Sequence, residues 1–430
     1  MSTVTVPGSN SQIFQMNYGS NDAIAYAQGL ANSIDAQIAA GALAAVNYAG
    51  GNVAPGPSGA AGGVVVFSTN ATTPGAVLLP NGDVAAVDNA AGPVSVWGSS
   101  TLNTVVAGSG GLSFYAAVAP AGVLSIVAGD GANWIATSTV GGGSYKINLG
   151  AGDDTVRVDT GNATVNMGTG HNTAQLGNGN STIISVGADL INGNSVAGGG
   201  GSDTIQVTSG QTTINPGSSN FTVYGNDSNP LTILPGTGTD LVSIGIGGGT
   251  VTAGSGGNST LIGGLNMVGS PAVYMTGTAG GDKIYAIGYG NVVATAGAGN
   301  ETITGAGNAP FGGTASYGNN SFVAGSGNDT LLAGAGQDTL TAGTGNASMV
   351  AGTAADTFAF QKGAAGGSDT ISGFKVGVDT LLLTGYGLTA SSALGTALQQ
   401  NGGTVLTFAD GTTVTIAGIN NFSGPNIKVG

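Results

Sequence analysis

Residues Ser316 to Phe360 read, in steps of nine, SYGNNSFVA, GSGNDTLLA, GAGQDTLTA, GTGNASMVA, GTAADTFAF. Gly, a polar pair, Thr or Ser and an apolar residue each return every nine positions, so the stretch is a repeated structural unit. Gly325, Gly327, Gly334 and Gly336 suit tight turns that need positive φ. Thr330-Leu331-Leu332 and Thr339-Leu340-Thr341 are short β-favouring steps with one apolar residue directed inward. Each ninemer is therefore a turn plus a strand. One such strand cannot bury its apolar side alone, so successive units are expected to wind into a parallel β-roll, two ninemers per coil, with coils roughly 4.8 Å apart.

Residues eighteen apart then stack. A turn that offers backbone carbonyls and one carboxylate, laid over another such turn, gathers hard oxygens around a point, which suits Ca²⁺ better than a transition metal. Asp338 lies eighteen from both Asp356 and Asn320, whereas Asp329 is placed over Ala347, a poorer arrangement. The repeat resembles the nonapeptide of the RTX, or haemolysin-type calcium-binding, family, Gly-Gly-x-Gly-x-Asp-x-apolar-x. That resemblance implies Ca²⁺ as the cofactor. The candidate metal residues are Asp154, Asp203, Gly325, Gly327, Asn328, Asp329, Gly334, Gly336, Asp338, Asp356, Asp369 and Asp379.

The composition of the 430-residue chain agrees with a solenoid. It has 84 Gly, no Cys, one His, and six basic against twenty acidic residues, for a net charge of −14. So few charges exclude helical bundles laced by Glu–Lys pairs. The sign argues against nucleic acid, which needs basic residues at phosphate, and against docking on anionic lipid. Lack of Cys removes disulfide and thiolate chemistry and is compatible with an exported protein. Met1 to Gly19 has no basic start and no apolar run of a cleavable signal, and no stretch is long enough for a membrane span.

Four regions are expected. Residues 1–62 form a polar lead and one helix over about 22–45, read as a cap on the first coil or as an anchor joining subunits. Residues 63–127 are strand-like and form either a short β-domain or degenerate coils. Residues 128–360 carry the nonapeptide roll, with a second clean array from Gly141 (GGGSYKINL, GAGDDTVRV, DTGNATVNM, GTGHNTAQL, GNGNSTIIS) and further units near Gly199, Gly236, Gly245, Ala279 and Gly297. About 220 residues at eighteen per coil give about twelve coils. Their core column is Val156, Val165, Ile183, Ile205, Ile303, Leu331, Leu340 and Phe358. At the Asp position stand Ala163, Asn172, Ser181, Thr212, Phe221, Lys283 and Val292, while Asp154, Asp203, Asp240 and Glu301 keep the carboxylate. Asn162 with Asn180, and Asn328 with Asn346, are spaced for amide ladders that close turns without metal.

Residues 361–430 contain GGSDTISGFKVGVDTLLLTGYG and NGGTVLTFADGTTVTIAGI. These resemble the C-terminal region of RTX proteins exported by type I secretion, a β-hairpin cap with an uncleaved signal. Asp369 and Asp379 hold the acidic positions, and Gly373 stands where the family commonly has Asp. The resemblance implies the type I secretion machinery as a partner.

Catalysis is not expected. There is no HExxH, and His171, the single histidine, sits in a repeat turn, so neither a zinc protease nor a Ser-His-Asp hydrolase can be assembled. The expected fold is an all-β parallel β-solenoid with a short N-terminal helix. The expected role is a secreted, calcium-stabilised structural protein of the bacterial cell surface, self-assembling as a homopolymer in a surface layer, filament or matrix, with cell-surface polysaccharide as a candidate partner. The alternative is a monomeric adhesin, glycan-binding or ice-binding solenoid, suggested by Thr155 with Thr173 and Thr164 with Thr182.

Overall fold

The computed structural model describes residues 21–48, 62–67, 76–185, 187–193, 201–207, 211–225, 230–256, 258–263, 272–286, 291–305, 319–400 and 402–430. The extended lead at 1–20, the Gly/Pro stretch at 49–61, the start of the Gly199 unit and Ser316–Gly318 lie outside these residues. The chain is an all-β parallel β-solenoid of about 15 turns. It divides into two compact units, Met1–Asn220 and Phe221–Gly430.

In the first unit two parallel ladders face each other. One stacks Val105, Ile126, Ile147, Val165, Ile183 and Ile205 in direct register. The other stacks Val96, Phe114, Ile135, Val156, Ala174, Ile191 and Ile214. Every one of these side chains is fully buried. Each full-sized one contributes roughly 1.5–3 kcal/mol, so the narrow column supplies the cohesion that no isolated strand could. Period-two alternation produces it: in Ser144–Asn148 the pattern is exposed, buried, exposed, buried, half-buried.

Coiling begins well before residue 128. Gly62–Phe67 pairs in parallel with Asp83–Asp88, which pairs with Thr104–Ala107 and so into the ladder. That is why there are more turns than the twelve read from nonapeptides alone. These early coils step by about twenty residues, as from Ala86 to Val105 and from Val105 to Ile126, and their turns lack the glycine rhythm.

The helix is shorter than its apolar spacing predicts. It spans Asn21–Ala39, and Leu43–Asn47 is a strand that pairs in parallel with Gly62–Phe67, Leu43 standing opposite Gly62. Gly41 takes φ +71°, and the Ala42 N–H bonds back to the Gln37 carbonyl, a glycine-terminated helix end that turns the chain into the sheet. The helix buries Ala27, Ala31 and Ile34 against Val64, Val66, Val87, Val106 and Val127. Val127 and Val106 neighbour the inward Ile126 and Val105, so they face outward. The helix thus covers the outer face of several coils, where a cap on the first coil was expected. Tyr26 fixes its start, donating to Ser125 Oγ at 2.9 Å with the Lys146 ammonium 3.9 Å from its ring centroid.

The second unit repeats the plan. One ladder stacks Val242, Leu261, Ile284, Ile303, Leu331, Met349 and Ile371, and the other Val251, Met275, Ala294, Phe322, Leu340, Phe358 and Leu381. At the C-terminus the hairpin Gly403–Thr407/Thr413–Ala417 joins one ladder through Ser368–Ser372, and Ile427–Val429 joins the other through Thr380–Thr384. Phe374 wedges between Phe358 and Phe422, with ring centroids 5.8 and 5.4 Å away.

Candidate metal centre

The acidic residues form a buried column at the turn before each strand. In the first unit the Leu112 N–H donates to Asn133 Oδ1 (2.9 Å), Asn133 N–H to Asp154 Oδ1 (2.8 Å), Asp154 N–H to Asn172 Oδ1 (2.9 Å), and Asn172 N–H to Asp189 Oδ1 (3.2 Å). On the opposite ladder Ser181 N–H donates to Asp203 Oδ1 (2.9 Å). In the second unit the chain runs from Asn320 N–H to Asp338 Oδ1 (2.7 Å), Asp338 N–H to Asp356 Oδ1 (3.0 Å), and Asp356 N–H to Asp379 Oδ1 (3.0 Å). Its opposite ladder has Glu301 N–H to Asp329 Oδ1 (3.0 Å) and Ala347 N–H to Asp369 Oδ1 (2.7 Å). A side chain one coil onward therefore satisfies a turn N–H that the short strand does not pair.

The second carboxylate oxygen divides the column into two kinds of turn. In Asp282, Asp329, Asp338, Asp356 and Asp379, Oδ2 accepts the N–H four residues earlier, from Thr278, Gly325, Gly334, Gly352 and Lys375, at 2.7–2.9 Å. All five have both oxygens taken, Oδ2 by their own turn and Oδ1 by the coil before. In Asp154, Asp203, Asp240 and Asp369, Oδ2 is buried with no hydrogen-bond partner. Burial pushes Asp154 and Asp203 up to about 6 and Asp369 up to about 7, because a carboxylate there lacks a compensating charge. Asp338 is raised to about 6 by the same desolvation, its backbone bonds opposing the rise. Glu301, the sole glutamate, is pushed up to about 8 by burial and then by the neighbouring Asp329.

The glycines act differently from expectation. Neither Gly325 nor Gly327 lies in the left-handed region. A Cβ on Gly325 would overlap the Gly297 carbonyl oxygen, and one on Gly327 the Gly299 carbonyl oxygen. Close stacking of turns, not positive φ, demands glycine there. The Gly325, Gly327 and Gly334 carbonyls accept N–H groups of Gly345, Asn346 and Thr353 on the next coil, and Gly336 is a buried turn residue. Asn328 belongs to a second, exposed column: its N–H donates to Asn300 Oδ1, and its Oδ1 accepts from Asn346 Nδ2, both at 2.9 Å. Asn162 likewise receives the Asn180 N–H at 2.8 Å.

Two further positions differ from the sequence reading. Asp282, not Lys283, holds the column in its coil: it is fully buried and its Oδ1 accepts the Ser259 N–H at 2.8 Å, while Lys283 is exposed. Asp189 also belongs to the column without having been singled out. The legible signal in both is Asp two residues before the inward apolar side chain, Asp282 before Ile284 and Asp189 before Ile191.

The donor set fits a hard cation. Asn133 Nδ2 sits where the carbonyls of Gly129 and Gly131 converge with Asp154 Oδ1, at 3.0, 2.6 and 2.9 Å. The Lys375 ammonium is held by the carbonyls of Gly352 and Thr353 at 2.7 and 2.9 Å. Turn oxygens thus converge on points that attract positive charge, and here an amide and an ammonium fill two of them. Among the described residues no three acidic or histidine side chains cluster around one point. Calcium in these turns would accordingly be held by backbone carbonyls with single carboxylates, among which Asp154, Asp203, Asp240 and Asp369 each have an oxygen to give. It would neutralise their buried charge and clamp adjacent coils.

Residues 314–349 match the RTX calcium-binding nonapeptide repeat in four copies. The chain therefore carries repeats of the RTX family, whose nonapeptides bind calcium. No match was found among curated proteins. No helix among the described residues is long and apolar enough to cross a membrane.

Proposed function

We propose that the chain is a secreted calcium-binding structural protein of the bacterial cell surface, exported by type I secretion and assembling with copies of itself into a surface layer, filament or matrix. The observation that carries this reading is the column of buried carboxylates and converging turn carbonyls along a calcium-repeat solenoid. It is a device for holding a fold rather than for transforming a substrate. Extracellular calcium sites bind at roughly 10⁻⁴–10⁻³ M, so such turns stay unloaded in a calcium-poor cytoplasm and load outside. Loading couples export to completion of the fold.

Electron microscopy of the purified full chain tests assembly: ordered polymers with millimolar calcium and dispersed particles in chelator are expected. Dispersed particles in both would overturn self-assembly. A second reading, an ice-ordering surface, is favoured by one specific observation. Thr302, Thr330, Ser348, Thr370 and Thr415 stand in one hydroxyl row of the second unit. Thermal hysteresis by the dispersed protein would support that reading instead.

A further inference from the structure

We infer that the early coils carry a binding site for an uncharged polysaccharide, built on the chain's two tryptophans. The chain has only Trp97 and Trp134. Both project from the outer face of the same ladder, 46% and 42% exposed. Trp97 is in register with Tyr115, and the two rings meet edge to face with centroids 5.8 Å apart. Trp134 is on the following coil, opposite Ser113, two residues from Tyr115. The three rings form a strip over successive coils, so Trp97 and Trp134 are roughly 10 Å apart along the stack, twice the strand spacing.

Such exposure needs a reason. On the next two coils the outward positions are Thr155, Thr173, Arg157 and Gln175, as a solvated sheet requires. Tryptophan's large apolar face costs free energy in water unless a partner covers it.

The surroundings select the partner. Leu78 extends the strip, in register with Trp97. It also lines a cleft of about 350 Å³ that includes Asn81, Ser99 and Ser100. Ser100 Oγ donates to Asn81 Oδ1 at 3.3 Å, and this pair is exposed. No residue lining the cleft is charged, and the whole chain is strongly negative. An anionic polymer is repelled and a cationic one finds no counter-charge at the cleft. A neutral glycan fits both halves: its C–H faces stack on flat rings, and its hydroxyls exchange hydrogen bonds with the amide and hydroxyls alongside. The strip spans coils upstream of residues 314–349, the RTX match.

The two tryptophans make the site self-reporting. Titration of the full chain with cellohexaose, chitohexaose and dextran, followed by tryptophan emission, is expected to give a saturable change with at least one of them and none with polygalacturonate. Trp97→Ala and Trp134→Ala are surface changes that leave the circular dichroism intact and should each weaken binding at least tenfold. No emission change with any neutral glycan overturns the inference, as does binding that both variants retain. Sedimentation separates the competing occupant: if Trp97→Ala instead abolishes self-association, the strip is a contact between copies and the inference fails.

Discussion

Replacing Asp369 by asparagine is expected to change sign with calcium. Asp369 accepts the Ala347 N–H through Oδ1 at 2.7 Å, and its Oδ2 is buried without a partner. Its pKa rises from 3.8 to about 7 by burial. A folded pKa above the unfolded one means the contribution to stability is fully present below pH 3.8 and is lost as pH rises through about 7. At pH 8 without metal, ionising this group inside the fold therefore costs about 4 kcal/mol. The asparagine side chain is the neutral isostere and keeps the Oδ1 acceptor, but it buries an NH₂ donor whose isolation costs about 1–3 kcal/mol. Asp369→Asn should then stabilise the chelated protein at pH 8 by about 1–3 kcal/mol. At pH 5 the folded wild-type group is protonated, its cost falls below about 2 kcal/mol, and the buried amide cancels the gain. With millimolar calcium the order reverses, because the wild-type carboxylate gives its free oxygen to the ion and the amide binds it poorly. Urea denaturation followed by circular dichroism, in chelator at pH 5 and pH 8 and in calcium at pH 8, measures all three arms. Destabilisation in chelator at pH 8 as large as that in calcium would refute the reasoning.

Asp338→Ala strips partners from the Asn320 and Gly334 N–H groups. A loss of about 2–4 kcal/mol is expected, with faster hydrogen exchange at those two amides and no change at the Leu112 amide of the first unit. Gly327→Ala drives a methyl into the Gly299 carbonyl. Destabilisation of more than about 2 kcal/mol that calcium does not rescue is expected from thermal melts, since the clash is steric. Lys375→Ala removes the ammonium from the Gly352 and Thr353 carbonyls. A loss of about 1–3 kcal/mol in chelator, recovered when calcium occupies the emptied turn, should appear in calorimetric titration as an added binding event.

The nine-residue rhythm from Ser316 to Phe360 was enough to specify the coil, its two ninemers per turn and the stacked core, because inward apolar side chains must recur at the same place in each coil to meet. The column pairs Asn320–Asp338–Asp356 follow from the same count. Sequence also exposed the lack of a catalytic histidine set, since that depends on inventory alone. Where insertions break the count, periodicity failed: it put Lys283 in the column where Asp282 stands, and it left the coils before residue 128 open between two readings. Only the tertiary structure decided which carboxylates have an oxygen to give. Asp338 and Asp369 look alike in their motifs, yet one has both oxygens taken by peptide N–H groups and the other has one left bare. That difference arises from how the turn before each strand closes, a matter of ångströms between non-adjacent backbone groups. The same is true of the glycines, whose necessity comes from a carbonyl one coil away, and of the two tryptophans, which are 37 positions apart in the chain and share one face only because the coil returns.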